Sequence, residues 1–108
     1  MKKKIDNYTV IDNAKANQYE FHIGEFIPKV EYIKRGSTIF LSHTEVPVEL
    51  EGKGIGFSLV KRALIDISLN DLTLVPLCPF VALYIKRNPE WKKLVIKSKG
   101  IENKLGIR

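Results

Sequence analysis

The sequence predicts an α/β protein, in which an antiparallel meander of strands is followed by a parallel strand pair with flanking helices. In its first half, short apolar segments alternate at period two and are separated by turn residues, which is typical of half-buried strands. A glycine-rich turn, Gly52–Gly56, then opens an amphipathic helix, and a short apolar segment follows that helix. A strand–helix–strand crossover of this kind places its two strands parallel.

Length and composition restrict the class of protein. The 108 residues suffice for one domain, and 44% hydrophobic residues without a repeat indicate a globular chain. We expect the domain at residues 13–95, with residues 1–12 as an N-terminal arm or added edge strand and residues 96–108 as a tail. No apolar stretch approaches the roughly 20 residues of a membrane span. A single cysteine fits a reducing compartment, so we expect a cytoplasmic protein.

The net charge of +6 is compatible with several ligands. Basic chains often bind nucleic acid, ligands that carry phosphates also need cations, and a basic surface can simply be solvated. No RNA-type aromatic motif accompanies the lysines, so a nucleic-acid partner is not favoured. Two histidines and one cysteine lie far apart in the sequence, and this scatter argues against a zinc site.

Three strands are predicted before the glycine turn. The first alternates apolar and polar residues and ends at Gly24-Glu25, which suits a two-residue hairpin turn. The second carries Pro28 near its start, where a missing N–H is tolerated. The third ends at Pro47. The predicted strands are Tyr19–Ile23, Phe26–Ile33 and Thr38–Val46.

Two helices and a fourth strand are predicted after the turn. One apolar stripe at helical spacing defines the first helix, which we expect to end near Asn70. The stripe consists of Ile55, Leu59, Val60, Ala63, Leu64 and Ile67. The remaining predicted elements are a strand at Asp71–Val75, a helix at Phe80–Lys86 and a short helix from Pro89 to Leu94.

The glycine turn is the strongest functional signal in the chain. A tight turn needs one or two glycines, but this one has three at alternate positions with Lys53 among them. Glycine allows a ligand to approach the backbone, and the start of a helix offers unpaired N–H groups and a positive dipole end to an anion. The spacing matches neither the dinucleotide fingerprint G-x-G-x-x-G nor the nucleotide-triphosphate loop.

Three motifs in order resemble the short, single-domain branch of the GNAT N-acetyltransferase superfamily, over roughly residues 13–95. Residues 51–56 resemble its coenzyme A loop, [RQ]-x-x-G-x-[GA]. His43-Thr44-Glu45-Val46-Pro47 precedes that loop, and Cys78-Pro79-Phe80 follows it. Glu51 stands where the family usually has Arg or Gln. A carboxylate beside a pyrophosphate is unfavourable, so Glu51 is not assigned as a ligand.

The resemblance implies an acetyl-CoA-dependent N-acetyltransferase that acts on an amine and needs no metal. It implies that the pantetheine arm of coenzyme A bonds to backbone near the end of the third strand. The pyrophosphate then rests on the amides of the glycine turn, with lysine and arginine side chains as further phosphate contacts. The implied coenzyme A ligands are Thr44, Glu45, Val46, Gly52, Lys53, Gly54, Ile55, Gly56, Phe57, Lys86 and Arg87.

Four residues are candidates for catalysis. Cys78 precedes a predicted helix, a position that favours a thiolate, and it could be an acid, a nucleophile or a buried packing residue. Tyr84 lies in a segment that resembles the one where larger GNAT enzymes keep an acid tyrosine, although it could equally pack in the core. His43 and Glu45 share one strand face and could accept a proton from the incoming amine.

Two other functions stay open on the sequence. The chain could be a non-catalytic coenzyme A-binding module, since 108 residues leave little room for an acceptor pocket. A basic nucleic-acid-binding domain is the less favoured alternative. If the chain is an enzyme, we expect its acceptor substrate to be a small-molecule or peptide amine, and we expect no membrane partner. The sequence predicts neither the particular acceptor nor the oligomeric state.

Overall fold

The computed structural model describes residues 8–96 and contains one five-stranded sheet with two α-helices. Residues 1–7 and 97–108, which include most of the predicted arm and tail, lie outside the described residues. The strands are β1 (Ile11–Asn13), β2 (Gln18–Glu20), β3 (Lys29–Arg35), β4 (Thr38–Glu45) and β5 (Thr73–Pro76). The helices are α1 (Ile55–Leu69) and α2 (Pro79–Arg87), and 3-10 helices cover Val48–Leu50 and Pro89–Leu94.

The sheet has the predicted mixed topology. Strands β1 to β4 pair antiparallel in chain order, and β4 pairs parallel with β5, so the α/β fold class is confirmed. The hairpin before β3 differs in detail: only a bridge between Ile23 and Phe26 forms at its tip. Strand β3 begins after Pro28, because proline has no N–H to continue a ladder. The Pro28 carbonyl accepts the N–H of Phe21. The edge strand β1 lies at the end of the predicted arm.

The core lies between one face of the sheet and the two helices. Both crossovers, from β4 through α1 and from β5 through α2, run in the same direction, so the right-handed rule puts both helices on the same face. All six residues of the predicted apolar stripe of α1 are at most 2% exposed. We call the face under α1 and α2 the helix side, and the other the opposite face.

Two tyrosine–carboxylate bonds fix the sheet relative to its neighbours. The Tyr19 hydroxyl donates to Asp66 of α1 at 2.8 Å, and the Tyr32 hydroxyl donates to Asp12 at 2.6 Å. Burial and then the hydrogen bond to Asp66 raise the pKa of Tyr19 well above its usual range. The phenol therefore stays protonated and keeps donating at any physiological pH, which holds β2 against α1.

Strand β4 separates from β5 at a bulge. Glu31 of β3 pairs with His43, but Tyr32 pairs with Leu41, so Ser42 is an extra residue on β4. The parallel pairing of β4 with β5 also ends at Leu41, where the Leu41 carbonyl accepts the N–H of Cys78 at 2.9 Å. Beyond this point β4 continues while the other chain turns into α2. A gap therefore opens beside the end of β4.

Candidate active site

The glycine loop leaves the start of α1 without a cap. Gly52 and Gly54 have φ angles of 79° and 75°, a left-handed conformation that glycine adopts without strain. Gly54 is the N-cap residue, so no side chain caps this end, and the first turn carries no acidic residue. The first intrahelical bond runs from the Ser58 N–H to the Gly54 carbonyl. The three preceding N–H groups thus have no intrahelical acceptor, which makes this an anion-binding end.

Gly56 is needed for a different reason, because it lies inside the helix. A Cβ atom at this position would be 2.8 Å from Cζ of Phe80 and 3.3 Å from Cγ2 of Val46. Its absence lets the Phe80 ring lie directly on the first turn of α1. Phe57 stacks on the same ring with a centroid distance of 4.7 Å. The third glycine therefore serves the packing of α2 against α1.

A cavity of about 670 Å³ lies between the end of β4, the glycine loop, the first turn of α1 and Phe80. It faces both the unpaired part of β4 and the uncapped helix end. Nine of the residues proposed from the sequence line it: His43, Thr44, Glu45, Val46, Gly52, Gly54, Ile55, Gly56 and Phe57.

Three lining residues were not assigned as ligands from the sequence. Leu50 lies in a 3-10 helix and has no distinctive sequence signal. Glu51 was set aside for its charge, yet it lines the cavity with an exposed carboxylate. Phe80 belongs to the quoted Cys-Pro-Phe motif, and its aromatic ring directly after a proline was the one signal that pointed to it.

The predicted phosphate-binding cations do not line the cavity. Lys53 lies in the glycine loop and Lys86 in the last turn of α2, both with exposed side chains. The Arg87 guanidinium lies over the Phe57 ring, 5.9 Å from its centroid. Arg87 therefore contacts Phe57, a residue of the cavity wall, and is the best placed of the three cations to contact a bound phosphate.

Tyr84 also lies behind the cavity wall. Its ring contacts Phe57 at 5.4 Å between centroids, and only 8% of the residue is exposed. Burial raises the pKa of Tyr84, against the effect of a hydrogen bond with Trp91, whose indole N–H can only donate. Trp91 thus anchors the last 3-10 helix to α2. Tyr84 itself does not line the cavity.

Cys78 precedes α2, as the sequence predicted, and is its N-cap residue, but its side chain makes no capping hydrogen bond. Cys78 Sγ lies instead 3.3 Å from Thr44 Oγ1, and the residue is 5% exposed. The thiol therefore contacts a residue that lines the cavity without lining it itself.

His43 and Glu45 lie on the opposite face, where the strand register puts them beside Lys29 of β3. Oε1 of Glu45 is 3.8 Å from His43 Nε2 and 3.7 Å from Lys29 Nζ, and the His43 and Glu45 side chains are 57% and 61% exposed. A hydrogen bond to Glu31 and the nearby carboxylates raise the pKa of Lys29 despite partial burial. The two candidate bases, His43 and Glu45, therefore lie in a solvent-exposed row of polar side chains.

Residues 8–96 contain neither a candidate metal site nor a candidate membrane-spanning helix. No group of three or more His, Cys, Asp or Glu side chains is arranged to hold a metal ion. No helix in this part of the chain has the length and apolar character required to cross a membrane.

Comparison with known proteins identifies the class. A family model described as GCN5-related N-acetyl-transferase matches residues 18–94, well over half of the chain. The chain therefore belongs to the GCN5-related N-acetyltransferase family, and the resemblance drawn from its motifs is confirmed. It is also similar to Protein NATD1 of Xenopus tropicalis, with 37% identity over 59 residues. That match covers 55% of this chain and 53% of the relative, so the chain spans about half the length of the curated relative it matches.

Proposed function

We propose that this chain is an acetyl-CoA-dependent N-acetyltransferase that acts on a small-molecule or peptide amine. The observation that carries the proposal is the cavity of about 670 Å³ that joins the separated end of β4 to the uncapped start of α1. A cavity of this size is in the range of small-ligand sites. Family membership supports acyl transfer in general, and its one free cysteine fits action in the cytoplasm.

The site offers coenzyme A two kinds of backbone contact. Beyond Leu41, β4 has no strand partner on its β5 side among the described residues, so its free groups can bond to the amides of the pantetheine arm. The amides after Gly54 can receive the pyrophosphate. Arg87 and Lys53 lie near enough to the loop to serve the remaining phosphate charge.

Acetyl-CoA supplies the thioester that an amine attacks. Around it the chain must polarise the carbonyl, accept a proton from the amine and return one to the departing sulfur. A backbone N–H at the end of β4 serves the first need. His43 and Glu45 serve the second from the opposite face, so the amine approaches from that face. Cys78 contacts Thr44, which lines the cavity, whereas Tyr84 lies behind Phe57, so Cys78 is the better candidate for the third need.

Calorimetric titration with coenzyme A tests the binding half. Gly54→Glu should abolish binding, because it puts a negative side chain where the pyrophosphate lies. Gly36→Glu is the matched control: Gly36 also has a positive φ, of 59°, and open space around its Cα, but it lies in the β3–β4 turn. Both variants should fold with similar stability. Equal loss of affinity in the two variants would contradict the site.

Amide chemical shifts locate the ligand. Addition of coenzyme A should shift signals at Thr44–Val46 and Gly52–Leu59, and shifts spread over the lysines alone would indicate nonspecific anion binding. Mass spectrometry of amine mixtures incubated with acetyl-CoA then tests turnover. Tight binding without any acetylated product would instead support a non-catalytic coenzyme A-binding module.

A further inference from the structure

Thr44 is the residue that connects the buried thiol to the cavity. Its side chain lies on the helix side, because its strand partner Val30 is fully buried there. Thr44 lines the cavity, whereas Cys78, with its Sγ atom 3.3 Å from Thr44 Oγ1, does not. The Thr44 hydroxyl therefore lies between the thiol and a ligand in the cavity.

We propose that the Thr44 hydroxyl is the group that gives the departing sulfur its proton, and that Cys78 is a positioning residue that acts through Thr44. This inference rests on the proposed function, since it names a further catalytic residue at that site. It reassigns the role that the sequence suggested for Cys78.

Either atom could donate in the Thr44–Cys78 contact, and the proposal takes the thiol as the donor. The backbone of Cys78 is fixed by its N–H bond to the Leu41 carbonyl at 2.9 Å and by its place before Pro79. The thiol is buried and has no other hydrogen-bond partner within residues 8–96. With the S–H donating to Thr44 Oγ1, the single hydroxyl proton of Thr44 is left to point into the cavity, where a substrate sulfur can accept it.

The transfer balances. The amine nitrogen bonds to the acetyl carbon, the carbon–sulfur bond breaks, and its electron pair stays on the sulfur. The sulfur takes the hydroxyl proton of Thr44 while Oγ1 takes the thiol proton of Cys78. The proton lost by the amine leaves through the opposite face. Cys78 regains a proton from water once the cavity empties.

The two ends of the relay are the Cys78 thiol and the departing sulfur of coenzyme A, and their chemistry allows the proton to pass. A threonine alkoxide is far too basic to form alone at neutral pH. The relay avoids it, because the threonine gains a proton as it gives one. Both ends are alkyl thiols, so the proton passes between groups of the same chemical type.

Infrared spectroscopy tests the hydrogen bond without any ligand. The chain contains one cysteine, so its S–H stretching band belongs to Cys78 alone. In Thr44→Val, which removes the hydroxyl and keeps the shape, this band should move to higher frequency, and Thr44→Ser should restore it. Thr38→Val, the same substitution at the other end of β4, is the control and should leave the band in place. An unmoved band in Thr44→Val would overturn the proposal.

Kinetics test the chemical role. Thr44→Val should lower kcat by about 10²-fold, the lower end for a general acid, while calorimetric affinity for coenzyme A stays within about threefold. Thr44→Ser retains the hydroxyl and should recover most of the rate, whereas Cys78→Ala, which has no proton to give, and Cys78→Ser, whose alkoxide would be far too basic, should not. Thr38→Val should behave as wild type.

The outcomes separate two failures. If wild type binds no coenzyme A or acetylates no amine, the proposed function fails and the relay with it. If wild type is active and Thr44→Val keeps kcat within twofold, the relay alone is overturned. Equal loss of kcat and of coenzyme A affinity in Thr44→Val would also overturn it, because Thr44 would then serve binding only.

Discussion

The two sides of the end of β4 are built on different principles. On the helix side the contacts are close, mostly buried and neutral, as in the Thr44–Cys78 pair at 3.3 Å and the Phe80 ring on Gly56. On the opposite face, Lys29, Glu45 and His43 form a row of side chains in which the last two are more than half exposed and the atoms lie 3.7–3.8 Å apart.

This difference matches two tasks. Packed neutral contacts hold atoms in place and are insensitive to salt, which suits the half of the site that must hold the same ligand in every turnover. Exposed charge pairs are weak, screened and easily rearranged, which suits the side from which we propose the amine enters. Substitutions on the helix side should therefore lower the free energy of unfolding more than those on the opposite face, and only the stability changes on the opposite face should depend on salt and pH.

The largest effect is expected for Phe80→Ala on the helix side. The change removes the ring that packs on Gly56 and Phe57, and it opens the cavity wall. Because Phe80 is only partly buried, we expect the free energy of unfolding to fall by about 2–3 kcal/mol, below the 3–5 kcal/mol range of fully buried phenylalanines. Urea denaturation measures this, and affinity for coenzyme A should fall as well.

Leu83→Ala is the control for Phe80→Ala, because Leu83 lies on the same helix but is 39% exposed. It should cost less than about 1 kcal/mol and leave affinity for coenzyme A unchanged. A Phe80→Ala variant as stable as Leu83→Ala would show that the helix side is not rigidly packed.

Glu20 is the exception on the opposite face, because it is only 5% exposed. Its carboxylate accepts bonds from Gln18 at 2.6 Å and Asn13 at 3.2 Å, and it meets His22 at 2.6 Å. Burial alone would raise the pKa of Glu20, but these hydrogen bonds, with His22 the largest, outweigh burial and lower it. We expect Glu20→Gln to cost about 1–2 kcal/mol near neutral pH, the scale of a hydrogen bond to a charged group.

The pH dependence follows from the sign of that shift. A carboxyl group whose folded pKa is depressed stabilises the fold above its unfolded pKa, near 4.3 for glutamate, and loses that contribution as the pH falls through the folded value. Urea titrations should therefore show wild type losing stability below about pH 4.3 more steeply than Glu20→Gln. Glu25→Gln, on the exposed hairpin, should follow wild type. Parallel curves for wild type and Glu20→Gln would contradict the hydrogen-bonded carboxylate.

Local pattern accounts for most of the fold. Period-two alternation located β2 to β4, and helical spacing located every buried hydrophobic residue of α1, although not the buried Gly56 and Ser58. Strand β1 was predicted only as one of two alternatives, because a three-residue edge strand carries almost no periodic signal. The bulge at Ser42 was not predicted at all, since it depends on the register of β3 against β4.

The candidate site likewise has features that follow from local sequence and features that depend on long-range packing. The glycine spacing indicated the loop and the start of α1, where backbone conformation follows from residue type. The Thr44–Cys78 contact joins residues 34 positions apart, and the reason for Gly56 is a ring 24 positions later. Such pairs depend on how α2 packs, which no local pattern encodes. The exposure of Lys53 likewise depends on the path of the loop and not on its composition.

Glu51→Gln tests the charge at the glycine loop. The Glu51 carboxylate lines the cavity near the proposed pyrophosphate site, and two like charges in a partly solvated site repel by a fraction of a kcal/mol or more. Removal of the charge should tighten coenzyme A binding by about two- to fivefold at low salt, with a smaller gain at high salt. Glu49→Gln, two residues earlier in the 3-10 helix, is the matched control. Weaker binding in Glu51→Gln would mean that the carboxylate contacts the ligand favourably.

The smallest effect is expected for Lys29→Met, at the centre of the charged row. Lys29 Nζ lies 3.0 Å from Glu31 Oε2, and this hydrogen bond is the main cause of the raised pKa of Lys29. A raised lysine pKa gives stability that is present at neutral pH and lost as the pH rises through the folded value, above the usual 10.4. Since both partners are solvated, we expect a loss of at most about 0.5 kcal/mol in low salt, which vanishes near 1 M salt. Lys34→Met on the same strand should change nothing. A loss in Lys29→Met that persists at high salt would show that this row is as rigidly held as the helix side, and the contrast between the two sides would fail.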